Sequence, residues 1–408
     1  MNLKLVSLYN FFGKKQQAII DEDLVFIDEI NNYLLDEDLY ICEEGLEPLF
    51  EIILIGSDGI ESLFLKRLKD FDEPLVLLAT AHNNSLSAAL EIKTYLENQH
   101  KLCFLLTGDE KHIASMIRHI ATIIHATKKL KKSRLGVIGG PFKGLIAPPI
   151  KPENIKKYFK MEVVKITAKE FDELYQKAKE ETLAFNEVPR EQELFNCADN
   201  PEALSKALLV YVALKKLVEK YQLHGLTIRS SRLIKKTKTT ACLALALLNE
   251  EGISASGEGD LASLMTMHLV NTLTGRTSFL ANPSKIDYEE HTLLLANSSV
   301  PFNMVSSYKL RPYFANGSGL SIKGELLEGH VSILKIAPDF SLENSLCLPG
   351  TIKENVSLPS HNQTQVLLSL SEESLMDLLK TSFGGQVVVA YGEVYQDFFP
   401  VLSLLRRE

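Results

Sequence analysis

LTIRSSRLIKKTKTTACLALALLNEEGISASGEGD, residues 226–260, runs from one short apolar segment through a helical pattern to another short segment. Leu226–Arg229 and Ile253–Ala255 have strand length, and Ala241–Glu250 has helix length and composition. Strand, helix, strand is the crossover unit of a parallel sheet. Gly257-Glu258-Gly259-Asp260 then turns the chain into a helical run, Leu261–Thr272. Glu258 is therefore expected at a strand end above a helix N-terminus, the place where open α/β sheets hold ligands.

Working outward, the first third alternates strands and helices in the same way. Strands are expected at Leu3–Tyr9, Glu51–Gly56, Leu75–Thr80 and Leu102–Thr107, and helices at Ser85–Glu97 and Lys111–Leu130. A second α/β unit opens with the strand-and-glycine run at Leu135, and Ala168–Phe185 and Pro201–Tyr221 read as helices within it. From Thr277 onward strand-like runs dominate: Thr277–Ala281, Thr292–Ala296, Gly319–Leu326, His330–Ile336 and Gln365–Leu370. One helix, Ser374–Thr381, precedes a last strand, Gln386–Tyr391. The expected fold is α/β: two doubly wound, Rossmann-like domains over 1–133 and 134–275, then a β-rich, barrel-like domain over 276–408.

Composition narrows the function classes. The chain has 408 residues, 45% of them hydrophobic, and a net charge of -8, which argues against a nucleic-acid surface. Five cysteines, at 42, 103, 197, 242 and 347, show no paired spacing, so neither a disulfide framework nor a zinc knuckle is expected. Neither a signal peptide nor a membrane-length apolar run is evident, and a cytoplasmic protein is expected. Asn-x-Ser/Thr matches at Asn297, Asn316 and Asn362 are accordingly read as chance. Gly136-Val137-Ile138-Gly139-Gly140 lacks dinucleotide-fingerprint spacing, and the basic run Lys128–Arg134 is read as closing a helix.

Several segments in order resemble the L-fucose/L-arabinose isomerase superfamily, in its shorter fucose-isomerase-like branch. They are HNNSLSAALE at 82–91, RLGVIGGPFKGLIA at 134–147, residues 226–260, the TGRTSFLAN stretch at 274–282, TQVLLSL at 364–370 and VVVAYGE at 387–393. The resemblance implies the three-part fold, an oligomer, and an aldose–ketose isomerisation that uses a divalent cation, usually manganese, to polarise the sugar carbonyl. Such an ion relies on charged oxygens and an imidazole. Glu258 matches the family's first metal-binding carboxylate, and it would also be the general base.

The other ligand positions depart from the family. Ala281-Asn282 stands at the second acidic ligand, Asn297-Ser298-Ser299-Val300-Pro301 replaces His-Cys-Thr-Val-Pro, and Gly385-Gln386 stands where the family has Asn-His-His. Pro312–Gly317 and Asn362-Gln363-Thr364-Gln365 replace two further site segments. Polar but neutral residues thus occupy an intact frame. The expectation is an isomerase-like protein of carbohydrate metabolism with a degenerate metal site, binding a sugar or polyol through Asn84, Ser85, Arg229, Asn282, Asn297, Gln365 and Gln386. Glu258 is the expected catalytic residue and the sole metal ligand, if a metal is held at all. No cofactor is expected, Mn2+ entering only under the alternative of an active ketol isomerase. Expected partners are a small sugar or polyol and further copies of the chain, or an active paralogue whose silent subunit this would be; nucleic acid and membrane are not expected. His268 is expected to pack or cap its helix, His291, His330 and His361 to be structural or exposed, and Asp260 and Glu393 to cap or face solvent.

Overall fold

The computed structural model describes residues 1–10, 16–35, 39–43, 47–141, 143–147, 149–180, 188–313, 319–359, 361–380 and 384–406. Expectations for 181–185, Phe314–Gly317 with Asn316, and Thr381 lie outside them. The fold is mixed α/β, with two parallel sheets and a closed antiparallel barrel. Among the described residues the chain forms two compact units, Met1–Lys128 with Pro400–Arg406, and Lys129–Phe399.

The first unit contains β1 (Asn2–Leu8), α1 (Gln16–Leu34), β2 (Tyr40–Cys42), β3 (Glu51–Ile55), α2 (Glu61–Arg67), β4 (Leu75–Ala79), α3 (Ser85–Asn98), β5 (Cys103–Leu106) and α4 (Glu110–Lys131). Its five strands are parallel, in the order β2-β1-β3-β4-β5. Alternate strand residues feed two apolar layers, as a pleated sheet buried on both faces requires. Leu3, Leu5, Ile52 and Leu54 pack with Ile27 and Ile30 of α1 and Ile113 and Ile117 of α4. Ile53, Ile55, Leu75 and Leu77 pack with Phe64 of α2 and Ala89 and Ile92 of α3.

The second unit begins with β6 (Arg134–Ile138), α5 (Pro152–Phe159), β7 (Glu162–Ile166), α6 (Ala168–Glu180), α7 (Glu191–Cys197), α8 (Pro201–Tyr221), β8 (Gly225–Ile228), α9 (Ser230–Thr237), α10 (Cys242–Glu250), β9 (Ser254–Gly257) and α11 (Leu261–Thr274). Its parallel sheet has the order β7-β6-β8-β9. Then come β10 (Phe279–Asp287), β11 (Thr292–Asn297), β12 (Val305–Pro312), β13 (Leu320–Leu326), β14 (His330–Lys335), β15 (Leu346–Asn355), β16 (Thr364–Ser369), α12 (Glu372–Lys380), β17 (Val387–Tyr391) and α13 (Tyr395–Arg406). Six of these strands close a barrel, β10-β11-β16-β15-β14-β17, while β12 and β13 pair separately.

One continuous apolar core joins this sheet to the barrel. Leu226, Ile228, Leu243 and Leu247 belong to the same cluster as Phe279, Leu293, Ile333, Val366 and Val389. Helix α11 touches β8 and β9 as well as β10, β14 and β17. Its residues Leu261–Val270 are all buried, the pattern of a helix enclosed on every side. The turn that starts α11 is therefore held between two sheets.

Candidate ligand site

Strand β9 ends at Gly257, and Glu258 and Gly259 both take left-handed backbone angles, with φ of 68° and 70°. A side chain at 259 is excluded, since a Cβ there would lie 2.4 Å from the Gly140 carbonyl oxygen. The loops after β6 and β9 thus meet backbone to backbone at the carboxyl edge of the sheet. Glutamate in this conformation costs about 1–2 kcal/mol relative to right-handed angles, a strain that clusters at functional sites.

Glu258 is half-buried, and its Oε2 is shielded from solvent without a hydrogen-bond partner. Burial pushes its carboxyl above the ordinary range. Two acidic neighbours feel its charge. The Cys242 thiol is pushed up to about 12, by burial first and with Glu258 adding to the shift. The Tyr313 phenol also rises to about 12 through burial, Cys242 and Glu258.

Asp260 lies two residues on and is fully engaged. Its Oδ1 accepts from the Ala262 amide at 2.9 Å and caps α11, as the sequence suggested for this acid. Its Oδ2 accepts from the Ser263 hydroxyl and from Lys335 Nζ at 3.2 Å. Lys335 comes from β14, is 1% exposed, and also donates to Ser263 Oγ at 2.6 Å. Burial pushes Asp260 upward, but the lysine charge and the hydrogen bonds prevail and hold it below the ordinary carboxylate range. Burial pulls the Lys335 ammonium down, opposed by Asp260.

A cavity of about 620 Å³ opens at the same edge of the sheet, and Pro141, Gly259, Asp260 and Gln386 are among its lining residues. Most of the rest is apolar or glycine, including Leu145, Ile146, Ala147, Pro149 and Ile150. An apolar enclosure with a few polar groups is the usual form of a small-molecule site. Gln386 Nε2 donates to Asn282 Oδ1 at 3.2 Å, while its Oε1 is buried without a partner. Asn282 Nδ2 donates across the strand pair to the Ala296 carbonyl at 3.3 Å. Arg229 Nη1 donates to the Pro141 carbonyl at 3.3 Å, on the cavity wall.

The remaining expected residues fall elsewhere or are occupied. Asn297 Oδ1 accepts from the Ser298 amide at 2.6 Å and the Ser299 hydroxyl at 3.1 Å, stabilising its own turn. Gln365 is buried; its Oε1 accepts from the Leu358 amide and its Nε2 donates to the Leu358 and Asn362 carbonyls. Its amide therefore pins the loop before β16, with both of its N–H donors used there. Asn84 and Ser85 belong to the first unit. Asn84 is exposed and donates to Asp58 Oδ2 at 3.0 Å. Ser85 is fully buried, donating to the Ile55 carbonyl and accepting from the Thr80 amide, so its hydroxyl is closed to ligand.

Among the described residues no three His, Cys, Asp or Glu side chains gather as a metal would require. The groups that feel the Glu258 charge are a thiol and a phenol, Cys242 and Tyr313. The histidines add nothing: His268 is buried between serines, His330 pairs with Thr351, and His361 Nδ1 meets the Pro359 carbonyl. Sequence reading missed Lys335, which lies in a strand whose other buried members are apolar or small, and it missed Cys242 and Tyr313 as neighbours of Glu258. Comparison with protein-family models and with curated proteins finds no match for this chain. Among the described helices none is long and apolar enough to cross a membrane.

Proposed function

We propose that the second unit binds a neutral sugar or polyol at the carboxyl edge of its parallel sheet, without a divalent cation. The two parallel sheets are, in this reading, the doubly wound units of the L-fucose/L-arabinose isomerase frame, kept after its metal-binding histidines were replaced. The observation that carries it is the buried, unpartnered Gln386 Oε1 on the cavity wall, with a second such oxygen, Glu258 Oε2, in the residue next to the wall residue Gly259. Each costs about 1–3 kcal/mol while unmatched, and a polyol hydroxyl donates the hydrogen bond that each lacks. Apolar walls suit the C–H faces of a pyranose or a reduced sugar.

Calorimetric titration of the full chain with L-fucose, L-arabinose and their alditols, in buffer containing a chelator, tests the reading. Saturable binding is expected, weakened at least 10-fold by Gln386→Ala and by Glu258→Ala. Silence toward every member of that panel overturns it.

A further inference from the structure

The opposite edge of the same sheet carries a second cavity, of about 450 Å³, where β8 and β9 begin. Its lining includes Lys129, His224, Ser254, His268, Asn271 and Arg276. Lys129 and Arg276 are exposed cations, and neither is paired with a carboxylate among the described residues. Glu250, the one carboxylate among the described residues of the wall, is held by Arg190 at 2.8 Å. The cavity therefore presents excess positive charge in a protein whose net charge is -8.

Behind these cations runs a directed chain of hydrogen bonds. Asn271 Nδ2 donates to Ser254 Oγ at 3.1 Å, and Ser254 Oγ lies 3.3 Å from His268 Nδ1. His268 Nε2 meets Ser133 Oγ at 2.8 Å, and Ser133 Oγ reaches the Lys129 carbonyl at 3.2 Å. His268 is pushed down to about 3, first by burial and then by the charges of His224 and Lys129, so the ring is neutral. A neutral ring carries one proton, and the chain is consistent when each hydroxyl donates onward toward Lys129. That polarity leaves Asn271 Oδ1, which is buried and has no partner, as the open acceptor. His224 Nδ1 accepts from the Arg134 amide at 3.2 Å.

We infer that this cavity is a second ligand site, for a small oxyanion that also carries hydroxyl groups, such as a phosphorylated sugar. The anionic group meets Arg276 and Lys129, and a hydroxyl donates to Asn271. Guanidinium and ammonium recognise phosphate oxygens through charge-assisted hydrogen bonds, about twice as strong as neutral ones. The site is separate from the Glu258 pocket and lies at the C-terminal end of α11, the helix whose other end carries that turn.

Titration of the full chain at low salt with glucose 6-phosphate, inorganic phosphate and glucose tests the inference. Glucose 6-phosphate is expected to bind about 10-fold more tightly than phosphate, and glucose not to bind in this cavity. Arg276→Ala and Lys129→Ala alter exposed side chains, so folding is retained, and each is expected to weaken the phosphosugar about 10-fold. Glu258→Ala and Gln386→Ala are expected to leave it unchanged, which separates this site from the sugar reading above. Undiminished phosphosugar binding by the Lys129/Arg276 double variant, or none by the parent chain, overturns the inference. Equal affinity for phosphate and phosphosugar overturns the hydroxyl contact.

Discussion

Two carboxylates stand two residues apart in the turn between β9 and α11, and their surroundings are opposite. Asp260 accepts from a backbone amide, a serine and a buried lysine, and it ties the helix to the barrel strand β14. Glu258 sits on strained backbone with one oxygen sealed and unmatched. The first acid is bound up in holding the fold together. The second is held in place at a cost, which is why the proposed ligand role falls to it and not to Asp260.

Removing the anchor has the largest expected effect. Lys335→Ala leaves Asp260, most of whose side chain is buried, without its cation and should destabilise the chain by about 3–5 kcal/mol in urea unfolding. Replacing both partners, as Lys335→Met with Asp260→Asn, should recover most of that loss. Equal instability of the single and double variants would mean that packing at 335, not charge, holds the turn.

Smaller, and specific to pH, is the effect of His268 on α11. Its folded pKa of about 3 lies below the ordinary value of about 6.5, so the unfolded chain binds the extra proton between these limits. Its contribution is complete above about pH 6.5 and is lost as pH falls toward 3. His268→Gln should flatten the stability profile between pH 6.5 and 5 in thermal melts; an unchanged slope would place the acid sensitivity elsewhere.

The smallest change separates strain from function. Glu258→Gly removes the unmatched carboxyl and suits the positive φ, so Tm should rise, corresponding to about 1 kcal/mol, while polyol binding is lost. A lower Tm would show that Glu258 contributes to the fold as Asp260 does.

Much of this architecture was legible in order and spacing. The strands around Leu226 and Ser254, helices α8 and α10, and the change to β structure after Thr277 all follow from apolar period and turn residues. The first-unit helix α1 was not read, because its buried stripe includes Asp23 and Asn31 beside Ile27, Ile30 and Leu34. Asn31 is satisfied by the backbone of Ile41, a tertiary partner, and Asp23 accepts from the Tyr9 hydroxyl through Oδ2 while its Oδ1 stays buried and unmatched. Helix α13 was hidden by Pro400 in its interior. At the site, the meeting of Asn282 with Gln386 depends on the neighbouring strands β10 and β17, whereas Gln365 resembled a binding amide until its loop contacts were seen. Spacing along a chain cannot tell an amide facing a cavity from one pinning a loop.

The most direct measurement is metal content together with turnover. Purified chain is equilibrated with excess Mn2+, freed of unbound ion, analysed for manganese, and assayed for aldose–ketose interconversion of a deoxy-aldose. The account predicts far less than one ion per chain, no interconversion, and sugar binding that is the same with chelator present. One manganese per chain, accompanied by turnover that Glu258→Gln abolishes, would contradict it.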